Sequence, residues 1–253
     1  MNTQKESKIK NLLDRHSQGT VLLAHWLQDI GISRDLQKVY RKSRWLESIG
    51  TGAFKRFNDP ITWAGGLFAI QKEADLPIHA GALTALSLHG FSHYLRTTNE
   101  IVYLFSPQGI KLPKWFSMYK WGPKIEYVKT SFLSEKTGLT DHNEKSFSIV
   151  ISAPERAMLE CLYLSPKKIN LLECYQIMEG LTGLRPKLVQ ELLQQCTSVR
   201  VKRVFLFMAD KAKHKWLDYV DLKKVDLGTG DRSITKGGIY ISKYCISVPN
   251  ELA

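Results

Sequence analysis

Arg34, Lys38, Arg41 and Lys42 stand at i, i+4, i+7 and i+8, a spacing that puts all four cations on one side of an α-helix. Such a stripe neutralises phosphates and offers guanidinium forks to base edges in a nucleic-acid groove. A run of charge is most often only a solvated face, and what argues for DNA here is the element that carries it. Leu36, Val39 and Tyr40 follow the i, i+3, i+4 rule and are expected to face inward. One side of the segment then packs while the other stays cationic. Arginines there suit guanine edges, whereas Lys38 and Lys42 suit phosphates.

Other chemistry-bearing groups carry weaker signals. Arg200, Lys202, Arg203, Lys211, Lys213, His214 and Lys215 flank the apolar run VFLFM. They read equally as a packed helix with cationic ends or as a second surface for phosphate or for an acidic partner. His89 and His93 share a spacing that a metal would accept, but Gly90 separates them and no third ligand lies nearby, so no metal is expected. Glu155 is most simply a first-turn carboxylate favoured by a helix dipole; for it or the equally scattered Glu160 to act in catalysis, residues distant in sequence would have to converge on it after folding. The sequence has no phosphate-binding Gly-rich loop, dinucleotide fingerprint, Gly-x-Ser-x-Gly elbow or zinc-protease motif. Nor does it carry a Gly-Ser pair followed by spaced aspartates, as a nucleotidyltransferase would. Binding rather than catalysis is the expectation, with no cofactor.

The elements that must hold the stripe can be traced on either side of it. Ile9, Leu12 and Leu13 recur at helical spacing between Ser7 and His16, and Gly19 ends that pattern. Thr20 is placed to cap a second helix over VLLAHWLQDIG, and Ser33 a third from about Arg34 to Arg44. WLESIGTGAFKRF then reads as two strands around Gly50-Thr51-Gly52, with Lys55 and Arg56 on the return strand. Three helices and a hairpin in this order make a winged helix-turn-helix, whose third helix enters the major groove.

Two helices follow, ITWAGGLFAIQKE and HAGALTALSLHG, and then β-textured runs EIVYLF, KWFSMY, KIEYVKTSFL and SFSIVIS. Ser152 is expected to cap APERAMLECLYL, with Pro154 in its first turn. Further helices are expected over INLLECYQIMEGL, PKLVQELLQQC and VKRVFLFMADKAKHKW, before a β-like tail around IYISKYCISVP. The fold class is therefore α+β. A winged domain over 1–90, with its core at about 7–58, precedes a larger mixed α/β domain over 91–253.

The chain has 253 residues and a formal charge of +12, which favours a polyanionic partner. Residues 1–58 hold eleven basic and five acidic side chains, so less than a quarter of the chain carries half of that excess. The opening MNTQKESKIK lacks the apolar core of a signal peptide, and no apolar run reaches membrane-spanning length. A cytoplasmic protein without a membrane partner is expected. Cys161, Cys174, Cys196 and Cys245 are far apart in apolar or mixed surroundings and read as reduced thiols.

Several segments in order resemble the AbiEi family: the basic N-terminus, HAGALTALSLHG, SAPERAMLE, SVRVKRVFLFMADKAKHKW and DLGTGDRSITKGGIYISKYCISVP. The resemblance spans about Lys8 to Pro249. It implies an antitoxin whose winged domain represses its own operon by binding inverted repeats in double-stranded DNA. It also implies that the C-terminal domain counteracts a nucleotidyltransferase-like toxin without requiring a stable complex. Carried over by position, the DNA-binding face would comprise Ser33, Arg34, Lys38, Arg41, Lys42, Arg44, Lys55 and Arg56. The C-terminal positions that look most family-like are Pro154, Glu155, Arg156, Lys202, Arg203, Gly237, Gly238, Tyr240 and Tyr244; a second basic or antitoxin surface, read from the cluster itself, would comprise Arg156, Arg200, Lys202, Arg203, Lys211, Lys213 and Lys215. Two alternatives stay open: a winged-helix transcription factor that senses a ligand, and a DNA-targeting accessory subunit of an enzyme.

Overall fold

In a computed structural model that describes residues 3–91, 101–235 and 237–252, the first element is α1, Thr3–Arg15. β1 (Leu22–Leu23), α2 (Ala24–Asp29), α3 (Arg34–Lys42), β2 (Leu46–Gly50) and β3 (Ala53–Arg56) follow it. The second helix is shorter than its periodicity predicts. Val21, Leu22 and Leu23 are all buried, but Leu22 and Leu23 pair with Phe54 and Ala53, so the segment enters the sheet before it coils. The sheet order is β1-β3-β2. Ile9, Leu12, Leu22, Leu27, Ile32, Tyr40, Leu46 and Phe54 form one apolar cluster that ties α1, α2 and α3 to the hairpin.

The larger body contains α4 (Trp63–Lys72), β4 (His79–Ala80), α5 (Ala82–Leu88), β5 (Ile101–Ser106), α6 (Lys114–Met118), β6 (Lys124–Lys129), β7 (Leu139–Asn143) and β8 (Ser148–Ser152). Its helical part is α7 (Pro154–Leu164), α8 (Leu171–Gly180), α9 (Pro186–Gln195) and α10 (Val199–Lys211), and β9 (Arg232–Ser233), β10 (Ile239–Ile241) and β11 (Ile246–Val248) close the chain. The main sheet runs β6-β5-β4-β8-β7, with β4 antiparallel to β5 and parallel to β8.

Three local expectations are overturned here. His79–Ala80, read as the start of a helix, is the middle strand of that sheet. KWFSMY, read as a strand, forms α6, which buries Trp115 and Phe116 beside Trp121. Ser152 does not cap α7, whose N-cap is Ala153; its hydroxyl donates instead to Glu160. In each case a tertiary partner outweighs local propensity. The expected first-turn proline is in place, with Pro154 opening α7.

The winged unit is seated on the larger body by backbone contact. The Val21 N–H donates to Gly65 O at 3.3 Å, and a Cβ on Gly65 would lie 1.8 Å from Gly19 O, so only glycine permits this approach. Glu73, just beyond α4, accepts the Leu23 N–H at 2.6 Å. At the hairpin tip, a Cβ on Gly50 would touch Trp115 of α6. α4 is therefore the shared wall between the winged unit and the main sheet. The four cysteines are free thiols, and burial pushes the Cys174 thiol up to about 12, which suits an inert core residue.

Candidate nucleic-acid interface

The Ser33 hydroxyl starts α3 by accepting the Leu36 N–H, and Asp35 lies in the first turn, where a carboxylate complements the helix dipole. Tyr40 and Gln37 are buried, at 3% exposure each. Gln37 earns that place because its Nε2 donates to Ala24 O and Ile32 O, both at 3.0 Å, so its polar end is satisfied. At about 100° per residue, this arc of Leu36, Tyr40 and Gln37 points Arg34, Lys38 and Lys42 straight into solvent. Arg41 lies to one side, with its guanidinium over the Phe54 ring at 5.7 Å. Val39 falls on the opposite flank and is 42% exposed, contrary to the inward placement expected from its spacing.

The helix ends in a Schellman turn: Arg44 N–H donates to Arg41 O and Trp45 N–H to Tyr40 O. Arg44 sits there at φ 55°, a position that normally favours glycine. Its side chain is exposed and stacks over Phe57 at 5.8 Å. Arg34 is steadied by Gln28, whose Oε1 accepts from Nε at 3.2 Å, and Lys38 pairs with Asp35 at 3.0 Å. Lys8 of α1, which its sequence neighbourhood did not single out, reaches Gly31 O at 3.2 Å and so adds a cation near the start of α3.

Two residues expected on this face are engaged elsewhere. The Arg56 guanidinium turns back under α1 and donates to the carbonyls of Leu13 and His16, satisfying the C-terminal end of that helix. Lys55 pairs with Glu47 at 3.3 Å, with its side chain only 15% exposed, and also donates to Asp59 O. Both cations hold the hairpin against its neighbours. The outward cations are therefore Arg34, Lys38, Arg41, Lys42 and Arg44, all exposed.

With this geometry in place, comparison with known families is decisive. Residues 5–97 match the N-terminal domain model described as "Transcriptional regulator, AbiEi antitoxin N-terminal domain". Residues 99–249 match the model described as "Transcriptional regulator, AbiEi antitoxin, Type IV TA system". The chain belongs to the AbiEi antitoxin family of transcriptional regulators. AbiEi proteins act in type IV toxin–antitoxin systems, and a transcriptional regulator of this kind works on DNA. No curated protein sequence matches the chain. Among solved structures it is similar to the "RV2827C protein from Mycobacterium tuberculosis", at 13% identity and a TM-score of 0.61, covering 96% of this chain and 90% of that one. That likeness concerns the fold. The junction of the two AbiEi models falls near 98, yet β4 and α5, which precede it, pack into the larger body. Among the described residues no helix is long and apolar enough to cross a membrane.

In the AbiEi C-terminal region the seven cations named from the sequence do not form one surface. Arg200 donates to the carbonyls of Leu162, Tyr163 and Ser165, closing the C-terminal end of α7. Arg203 is 3% exposed and gathers the carbonyls of Leu227, Gly228, Gly230 and Cys245. Lys202 is equally buried. Only Lys211, Lys213 and Lys215 of the group are exposed; Lys211 lies over Tyr175 at 5.8 Å. His214 is buried and donates to Met178 O at 2.6 Å.

Arg156 is internal as well. Its Nε donates to Glu160 at 2.8 Å and its Nη1 to Ser134 O and Thr137 O. Glu160 is completely enclosed and also accepts from His79 Nε2, Ala82 N–H and Ser152 Oγ. Burial alone would raise the Glu160 carboxyl. The His79 hydrogen bond, the Arg156 charge and the Ala82 N–H outweigh it and hold the group near 2. Burial keeps His79 below its ordinary value, so a neutral ring donates to an ionised carboxylate. The Arg156–Glu160 spacing is a legible i, i+4 pair. His79, 81 positions away from Glu160, left no local sign. Glu155 keeps its first-turn place and accepts from Arg185 N, Nε and Nη2. His89 donates to Ser152 O, and His93, its partner in the metal spacing, lies outside the described residues.

Proposed function

We propose that this chain binds double-stranded operator DNA through the outward face of α3, represses the operon that encodes it, and counteracts a nucleotidyltransferase-like toxin from the same operon. The observation that carries the DNA assignment is the division of α3. Tyr40 and Gln37 lock one side into the winged core, while Arg34, Lys38 and Lys42 spend their length on the outside. Arg44 supports it, because an arginine retained at a left-handed position costs about 1 kcal/mol that glycine would spare. The β2–β3 hairpin flanks the same duplex as a wing whose Lys55 and Arg56 serve the scaffold rather than the DNA. The protein acts in the cytoplasm and by binding, not by catalysis.

Footprinting on the chain's own promoter tests the DNA role. Two protected half-sites in inverted repeat are expected, with centres roughly 34–36 Å apart or a multiple of that. The footprint should vanish in an Arg34→Ala/Lys42→Ala variant that melts like wild type. A footprint that persists in that variant refutes the α3 assignment. Co-expression with the adjacent toxin gene tests the antitoxin role, with rescue of growth the expected result. Rescue should remain with the Arg34→Ala/Lys42→Ala variant when both genes are transcribed from a foreign promoter, because antagonism is assigned to the larger body.

A further inference from the structure

A cavity of about 160 Å³ opens between α4 and the main sheet. Leu76, Ile78, Phe105, Leu133, Leu139 and Val150 supply its apolar wall, and the polar side chains Gln71, His79 and Ser106 beside them are hydrogen-bonded within the protein. One polar group stands out among them. Arg156 lines the cavity, and its hydrogen bonds to Glu160, Ser134 and Thr137 employ Nε and Nη1 only. The remaining guanidinium nitrogen, Nη2, is a donor held in place by the other two, in a residue 5% exposed. The buried network behind it holds this donor fixed beside the apolar wall.

We propose that this cavity binds an uncharged small molecule with an apolar body about the size of one six-membered ring and a carbonyl oxygen directed at Arg156. Size follows from volume, since a cavity of about 150 Å³ with apolar walls accepts benzene. Neutrality follows from the charge balance. Glu160 already compensates the Arg156 guanidinium at 2.8 Å, and the remaining charged lining residues are one exposed cation, Lys72, and one exposed carboxylate, Glu135. An anion would lose its hydration without meeting an uncompensated cation. A carbonyl acceptor satisfies Nη2 without that loss. The site is independent of the DNA assignment, although Gln71 and Lys72 of its wall immediately precede Glu73, which holds Leu23 of the winged unit.

Benzamide is a suitable probe, titrated into the full chain without DNA and followed by protein NMR. Saturable binding is expected, with contacts from the ring protons to the methyls of Leu133 and Leu139. Toluene, which lacks the acceptor, and benzoate, which adds a charge, should each bind about tenfold more weakly. Leu139→Trp fills the recess from the half-buried end of the edge strand β7 and should abolish benzamide binding. Absence of saturation, equal affinity for toluene, undiminished binding to Leu139→Trp, or ring contacts only to methyls elsewhere would each overturn the proposal. The methyl contacts decide the matter in the wild-type protein even if the tryptophan variant folds poorly.

Discussion

Removing Lys38 and Lys42 together by alanine substitution should change the salt dependence of operator binding by a calculable amount. Five cations stand exposed on the α3 face, Arg34, Lys38, Arg41, Lys42 and Arg44. If each neutralises one phosphate, log K falls against log salt with a slope of about −4.5 per half-site, or roughly 500-fold between 50 and 200 mM. The double variant keeps three, giving a slope of about −2.7 and a loss of roughly 40-fold over the same range. The fold should be untouched. The Lys38–Asp35 pair is 64% and 90% exposed, so its loss costs well under about 1 kcal/mol. Fluorescence anisotropy with a labelled half-site, titrated with KCl, reads the slope directly. A slope unchanged by the double substitution refutes the contact of this face with phosphate. A wild-type slope near −6 would instead mean about seven contacts, more than the five cations of this face supply.

Three further outcomes follow from the same coordinates. Arg44→Gly should raise stability by about 1 kcal/mol in urea unfolding, because glycine relieves the φ of 55°, and at the same time weaken operator binding; a destabilised variant contradicts the turn geometry. Gly65→Ala should cost about 3 kcal/mol or more, since the new methyl would lie 1.8 Å from Gly19 O, and amide exchange around Val21 should accelerate. Acid should act in two steps. His79, depressed by burial, must be neutral in the fold, so stability declines once pH falls below its unfolded value of about 6.5. Glu160, held near 2 against an ordinary 4.5, contributes stability that is full above about 4.5 and is lost between there and about 2, on the order of 3 kcal/mol. Unfolding measured at pH 7, 5 and 3 checks both steps, and Glu160→Gln should remove the lower one.

Much of this molecule is written in local chemistry. The cap at Ser33, the cationic stripe along α3, the turn at Thr51-Gly52 and the proline opening α7 depend on residues within a few positions of one another, so spacing alone determined them. The hairpin and the helix before it could be read for the same reason. What spacing could not determine is where a long cationic side chain ends. Arg56, Arg156, Arg200 and Arg203 look like surface charges in sequence, yet each finds carbonyls or a carboxylate brought to it from 4 to 43 positions away. A guanidinium has five donors and a flexible stem, and only the folded backbone decides whether carbonyls or solvent will receive them. The same holds for His79–Ala80, whose place in the middle of a sheet rests on β5 and β8. Pairing between strands distant in sequence leaves no periodic mark on a two-residue segment.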